Sequence, residues 1–158
     1  MAFTAGQKLR ASQLNDALLL NAPSVTVASI TSTSFTGFRD NTGPPGNLLG
    51  TAFTAPPSGI VSIAFGAALT SSVTTAEVQL TFTVQTGSTV GSGTSVLSAA
   101  LINCVVTKTT TETTPSRIVD ISGLSAGGSY NAAFTWKLSA AGTASAAIPW
   151  MEITPKMS

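Results

Sequence analysis

The side chains able to do acid–base chemistry in this 158-residue chain are six carboxylates, with no histidine and one cysteine. Two carboxylates can hydrolyse a glycosidic bond when one is kept protonated in an apolar setting and the other stays ionised across a cleft. The surroundings of Asp16, Asp40, Glu77, Glu112, Asp120 and Glu152 argue against such a pair. Asp16 falls in a helical stretch, Asp40 in a Gly/Pro loop beside Arg39, Glu77 on a polar strand face, and Glu112 in a Thr-rich tip. Only Asp120, within Ile118-Val119-Asp120-Ile121, is expected to be buried, with Arg117 as its structural partner. The lack of histidine removes the commonest general base, the Ser-His-Asp arrangement and most zinc sites. Cys104, in the apolar run 100–106, reads as a buried and inert thiol, and a single cysteine forms no intrachain disulfide. Gly87, Gly91 and Gly93 lie between strands rather than before a helix, so they make no phosphate loop. No spaced Asp cluster suggests calcium. The expectation is a non-enzymatic protein with no catalytic residue, no metal and no cofactor.

The aromatic residues point to packing more than to ligands. Trp136 alternates with Phe134 and Leu138 and belongs in a core. Trp150 follows Pro149 near an edge and is the one candidate for contact with a sugar ring. Seven cationic side chains are spread along a chain of net charge +1. Phosphate backbones require clustered Lys and Arg, so nucleic acid is not an expected partner. No apolar run reaches the roughly 18 residues that span a bilayer. Lys8 and Arg10 precede the short run Ala17–Leu20, which is too brief for an export signal, so synthesis in a host cytoplasm is expected.

Charged residues make up 8% of the chain and hydrophobic ones 43%. That is enough apolar surface to fold a domain. Ser, Thr, Ala and Gly stand where charges usually do. Such a surface suits a chain that folds into an assembly, where charged faces would be desolvated at a cost; a neutral secreted domain is the alternative.

The elements that would position these residues are mostly strands. Ser12–Leu20 reads as a short helix, with Ser12 as N-cap, Asp16 in the first turn and Leu14 above Leu18, stopped by Asn21-Ala22-Pro23. At that length it must dock on something. From Ser24 onward the pattern is β. Val25 and Val27 open one strand, and Phe35 and Phe38 flank another. Val61, Ile63, Phe65, Ala67 and Leu69 share a face whose reverse carries Ser62, Ala64, Gly66 and Ala68, small enough to let a second backbone come close. Ala76 to Gln85 alternates at every position. Val96 to Val106 is apolar on both faces, which suggests either a strand at a subunit interface or a central strand under a loop. Thr107–Thr114 reads as an exposed hairpin tip. Pro149 puts the last strand, Ala144–Ile153, at an edge or a bulge. About eight strands separated by turns predict an all-β antiparallel sandwich or jelly roll.

Three stretches resemble known families. Phe3-Thr4-Ala5-Gly6-Gln7-Lys8-Leu9-Arg10-Ala11-Ser12-Gln13-Leu14-Asn15 resembles a segment of tail-fibre, head-fibre and minor tail proteins of actinobacterial phages and prophages. Leu49-Gly50-Thr51-Ala52-Phe53-Thr54-Ala55-Pro56-Pro57-Ser58-Gly59-Ile60-Val61 resembles the opening of compact sandwich domains at phage fibre ends, often homotrimeric and similar to tumour-necrosis-factor-like jelly rolls. Leu124-Ser125-Ala126-Gly127-Gly128-Ser129-Tyr130 is similar to the turn before the tyrosine corner of fibronectin type III domains, with Ala126 where Pro is common. The resemblance to phage proteins implies a virion structural protein on the outside of the particle: a capsid decoration, a head fibre or a tail-tip element. Residues 1–23 would attach it, anchored by Phe3, Leu9, Leu14 and Leu18, and residues 24–158 would form the sandwich. The expected partners are further copies of the chain in a homotrimer, built on Ala64, Gly66, Ala68, Leu97 and Leu101, and other virion proteins. The alternative function is a receptor-binding module for a host surface glycan.

Overall fold

The computed structural model describes residues 28–40, 44 and 46–157, and the backbone of 18–21. Eleven strands lie among them: β1 (Leu18–Asn21), β2 (Ala28–Ile30), β3 (Thr36–Gly37), β4 (Gly50–Thr54), β5 (Val61–Ser71), β6 (Val78–Thr86), β7 (Ser95–Leu97), β8 (Val105–Thr107), β9 (Ser116–Ile121), β10 (Ser129–Leu138) and β11 (Ala144–Pro155). The first sheet has the order β1-β11-β5-β9, with β2 also on β11; the second has β3-β10-β6-β7, with β4 also on β10 and β8 also on β6. Three columns thus hold two short strands each, so the eleven strands fill eight columns. All pairings are antiparallel. The chain enters the first sheet, crosses to the second at β3, returns at β5, crosses at β6, returns at β9, crosses at β10 and returns at β11. This winding is a jelly roll, the architecture expected from the sequence.

Period-two burial explains why the two sheets close on each other. Val78, Leu80, Phe82 and Val84 of β6 are fully buried, as are Ile63, Phe65 and Leu69 of β5. Phe65 and Phe82 meet edge to face at 5.0 Å between centroids and join the sheets at the centre of the core. Trp136 is buried against Phe38 at 4.7 Å, as its alternation predicts. The expected tyrosine corner is present. Tyr130 stacks on Phe53, and its hydroxyl accepts the Ser125 backbone N–H at 2.9 Å, fixing the crossing from β9 to β10. Tyr130→Phe keeps the ring and orphans that N–H, and should cost about 1–2 kcal/mol in a urea titration; an unchanged midpoint would show that the corner carries no stability.

The connections sort to two ends. At one lie the 31–35, 72–77, 108–115 and 139–143 segments, tied by Ser72 N–H to Thr143 O, Leu138 N–H to Ser32 O and Ser71 N–H to Thr109 O. At the other lie the 55–60, 87–94 and 122–128 turns, tied by Ala55 N–H to Gly128 O, Gly87 N–H to Ser129 O and Leu124 N–H to Gly59 O. Leu18, the first described residue, pairs with Ile153 at this second end.

Four local readings change. Leu18–Leu20 is strand, not the end of a helix, because β11 offers these residues a full ladder; Ser12 to Ala17 lie outside the described residues, as do Val25 and Val27. The run Val96–Val106 is not one strand: β7 and β8 are separate and a single 3-10 turn, Leu101–Asn103, stands between them. Thr107–Thr114 is not a hairpin tip but a crossing between sheets, tied by a bridge from Thr113 to Leu69. The polar face of β6 is not all solvated, since Gln79 and Thr81 are buried and the segment that follows β7 lies on Thr81. Pro149 does sit in a bulge, between Ala147 and Trp150 of β11.

Candidate interaction surface

The carboxylates are dispersed. Asp120 is exposed rather than buried, and its partner is Lys156 at 2.6 Å, not Arg117; the Ser62 hydroxyl donates to its other oxygen. Strand register explains this: Asp120 faces Ser62 on the outer side of the first sheet, while Val119 and Ile121 point inward. The Lys156 and Ser62 hydrogen bonds hold its carboxyl below the usual range. Glu152 lies on the same outer face, opposite Ala64. Two strand spacings and two residues along the strand separate its Cα from that of Asp120 by about 12 Å. Glu77 meets Lys108 only at 4.0 Å, and Asp40 accepts from the Asn47 backbone at 2.7 Å. Among the described residues no three metal-ligating side chains cluster. Burial pushes the Cys104 thiol up, outweighing the opposing pull of Lys137, Arg117 and the Thr81 hydroxyl. The thiol donates to Ala100 O at 3.4 Å.

The unusual chemistry is apolar, and the segment after β6 builds it. Asn131, fully buried on β10, anchors the loop there: its amide donates to the carbonyls of Ser92 at 2.9 Å and Gly87 at 3.1 Å, and its oxygen accepts the Gly91 N–H at 2.9 Å. Sequence alternation gave no sign of this role. The chain then passes through β7 into the 3-10 turn, which lies over the second sheet: the Thr81 hydroxyl donates to Asn103 O at 3.3 Å. Arg117 of β9 closes the flank by donating to Cys104 O at 3.0 Å. The turn aims Leu101 and Ile102 outward at 57% and 76% exposure, flanked by Val96 and Val106. Four of the seven exposed large apolar side chains among the described residues therefore lie on the flank formed by β7, the turn and β8, while Ile118 of β9 stands opposite Ala64 on the outer face of the first sheet.

The residues expected to form one subunit interface fall on two surfaces. Leu97 is half-buried against the core and Leu101 is on the flank. Ala64, Gly66 and Ala68 lie instead on the outer face of the first sheet. There the space above Gly66 is filled by the chain's own Trp150: a Cβ at position 66 would stand 2.9 Å from the indole Nε1 and 2.8 Å from Pro115 O. The small residue admits a ring and a backbone carbonyl, both of the same chain. Trp150 is half-buried in this way, with one side of the indole on the sheet. Beside it Ile148, exposed and at φ 50, marks a strained bulge. A hollow of about 180 Å³ opens on this face between Ala68, Thr70, Glu112, Ser145, Ala146 and Ala147. Of the expected attachment residues, Phe3, Leu9 and Leu14 lie outside the described residues, and Leu18 is in β1.

No protein-family model matches the sequence, and no curated protein matches it. Among solved structures the chain is similar to one in the structure of infectious bursal disease virus Gx strain, with a TM-score of 0.42 and 16% identity over 85% of this chain and 34% of the viral one. The chain spans about a third of the length of that viral protein.

Proposed function

We propose that this chain is a non-enzymatic structural protein of a phage particle, attached through its N-terminal segment to the outside of the particle and associated with further copies of itself. The jelly roll serves capsid proteins, lectins and cupins alike, so the fold by itself does not decide this. The observation that carries the reading is the concentration of exposed apolar side chains on one flank of a nearly neutral domain. Covering each large side chain would contribute about 1.5–3 kcal/mol. The resemblance of residues 3–15 to the attachment segment of phage fibre and minor tail proteins supplies the setting. The ends of the sandwich agree with it: Leu18 lies at the end opposite the 31–35, 72–77, 108–115 and 139–143 loops, so a segment docked on the particle would leave those loops projecting. A homotrimer on a capsid or a tail tip is the specific form proposed.

The truncation that removes residues 1–17 keeps β1 and separates attachment from folding. Residues 18–158 should remain folded, by circular dichroism, and be missing from purified particles of a phage that carries the gene, whereas the full chain is present in many copies. Particles that retain the truncated chain at full occupancy would contradict the attachment role.

A second reading, contact with a host surface glycan, is favoured by one observation: the half-exposed Trp150 indole on an open sheet face beside a hollow. Trp150→Ala should then lower binding on a glycan array without unfolding the domain. An unchanged array signal would remove this reading.

A further inference from the structure

We infer that copies of this chain associate head to tail, the flank of β7, β8 and β9 on one copy seating on the outer face of the first sheet of the next, with Ile102 entering the hollow beside Glu112 and Arg117 facing that carboxylate. This rests on the self-association proposed above and names its two surfaces.

The two surfaces are complementary in shape. Ile102 is the most exposed large side chain on the flank, at 76%, and Leu101 stands beside it on the same turn. The hollow is floored by Ala68, Ala146 and Ala147 and measures about 180 Å³. The hollow is open to solvent on one side, so it can receive the end of a branched aliphatic side chain. They are complementary in charge as well. Arg117 is exposed on the flank and bonds to a backbone carbonyl, with no carboxylate partner among the described residues. Glu112, on the rim of the hollow, is exposed and has no hydrogen bond or cation partner among the described residues. Joining the surfaces brings one uncancelled cation to one uncancelled anion around an apolar contact. Both halves of the fit belong to this chain, so the partner is a second copy. The halves are different surfaces, so the contact is heterologous, building a ring or an open filament rather than a two-fold dimer.

Sedimentation velocity on the full chain and its variants tests this. Ile102→Asp removes an exposed side chain and should leave the melting curve unchanged while weakening association at least tenfold. Glu112→Arg should weaken it with the melting curve unchanged, whereas Glu112→Asp should keep most of it; Arg117 stays in place because its bond to Cys104 O also sets the turn. An associated wild-type chain whose mass is unmoved by Ile102→Asp and by Glu112→Arg would overturn the assignment of these surfaces, as would Glu112→Asp weaker than Glu112→Arg. A wild-type chain that is monomeric would instead overturn the underlying proposal of self-association.

Discussion

Phe82→Ala is expected to destabilise the domain by about 3–5 kcal/mol, read as the shift in a urea or thermal transition of the purified chain. Phe82 is fully buried on β6 and contacts Phe65 of β5 edge to face at 5.0 Å, while Phe65 also reaches Phe134 of β10 at 6.4 Å. Its ring therefore contributes apolar burial and also the geometry by which the two sheets register. Truncation removes the transfer energy of the ring and leaves a cavity that backbone ladders on both sides keep from collapsing. At about 2–4 °C per kcal/mol for a chain of this size, the melting point should fall by roughly 10 °C. Phe82→Leu, which keeps most of the volume, should lose much less. Equal losses for the two variants would show that the site relaxes freely and that the inter-sheet contact is not the centre of the core.

Asn131→Asp has the second largest expected effect, although it changes almost no volume. The amide group of Asn131 donates towards the carbonyls of Ser92, Gly87 and Gln85, at 2.9, 3.1 and 3.4 Å. A carboxylate in the same place would face three acceptors and offer no donor. It would also be buried, since Asn131 is 0% exposed. Burying an unpaired charge against like partial charges costs about 3–5 kcal/mol. Asn131→Ala should cost less, because water can reach the exposed loop carbonyls once the side chain is gone. The pH dependence gives a further check. Burial raises the carboxyl pKa of the variant in the folded state, so its deficit should shrink as the pH falls and the group takes up a proton. A deficit that is independent of pH, or an aspartate variant as stable as the wild type, would contradict the role given to this side chain.

Much of the sandwich is legible in the residues themselves. β5, β6 and β10 alternate so regularly that the period alone fixes their inward faces, and the Tyr130 corner and the Pro149 bulge are local chemistry with one structural outcome. Asp120 was legible by the same rule: with Val119 and Ile121 turned inward, the residue between them turns outward. The remainder depends on long-range partners. Leu14 and Leu18 fit a helical stripe, yet Leu18–Asn21 takes the ladder that β11 offers from more than a hundred residues away. In the run from Val96 to Val106 only Ser98 and Asn103 break a pattern compatible with a buried strand. Its actual state is set by the Thr81 and Arg117 bonds to carbonyls of the turn, and these leave Leu101 and Ile102 in solvent. The expected interface residues share a type, small or leucine, and type does not say which sheet face a residue occupies. The hollow beside Glu112 is assembled from three separate segments and has no local signature.

Mass measurement by light scattering on the purified full chain, at tens of micromolar, tests the central claim most directly, because a protein that works by association must associate. The account predicts a closed species at a whole multiple of the 15.9 kDa protomer mass, three being the proposed number, that persists on dilution through the column. A sharp, concentration-independent peak at 15.9 kDa would contradict it.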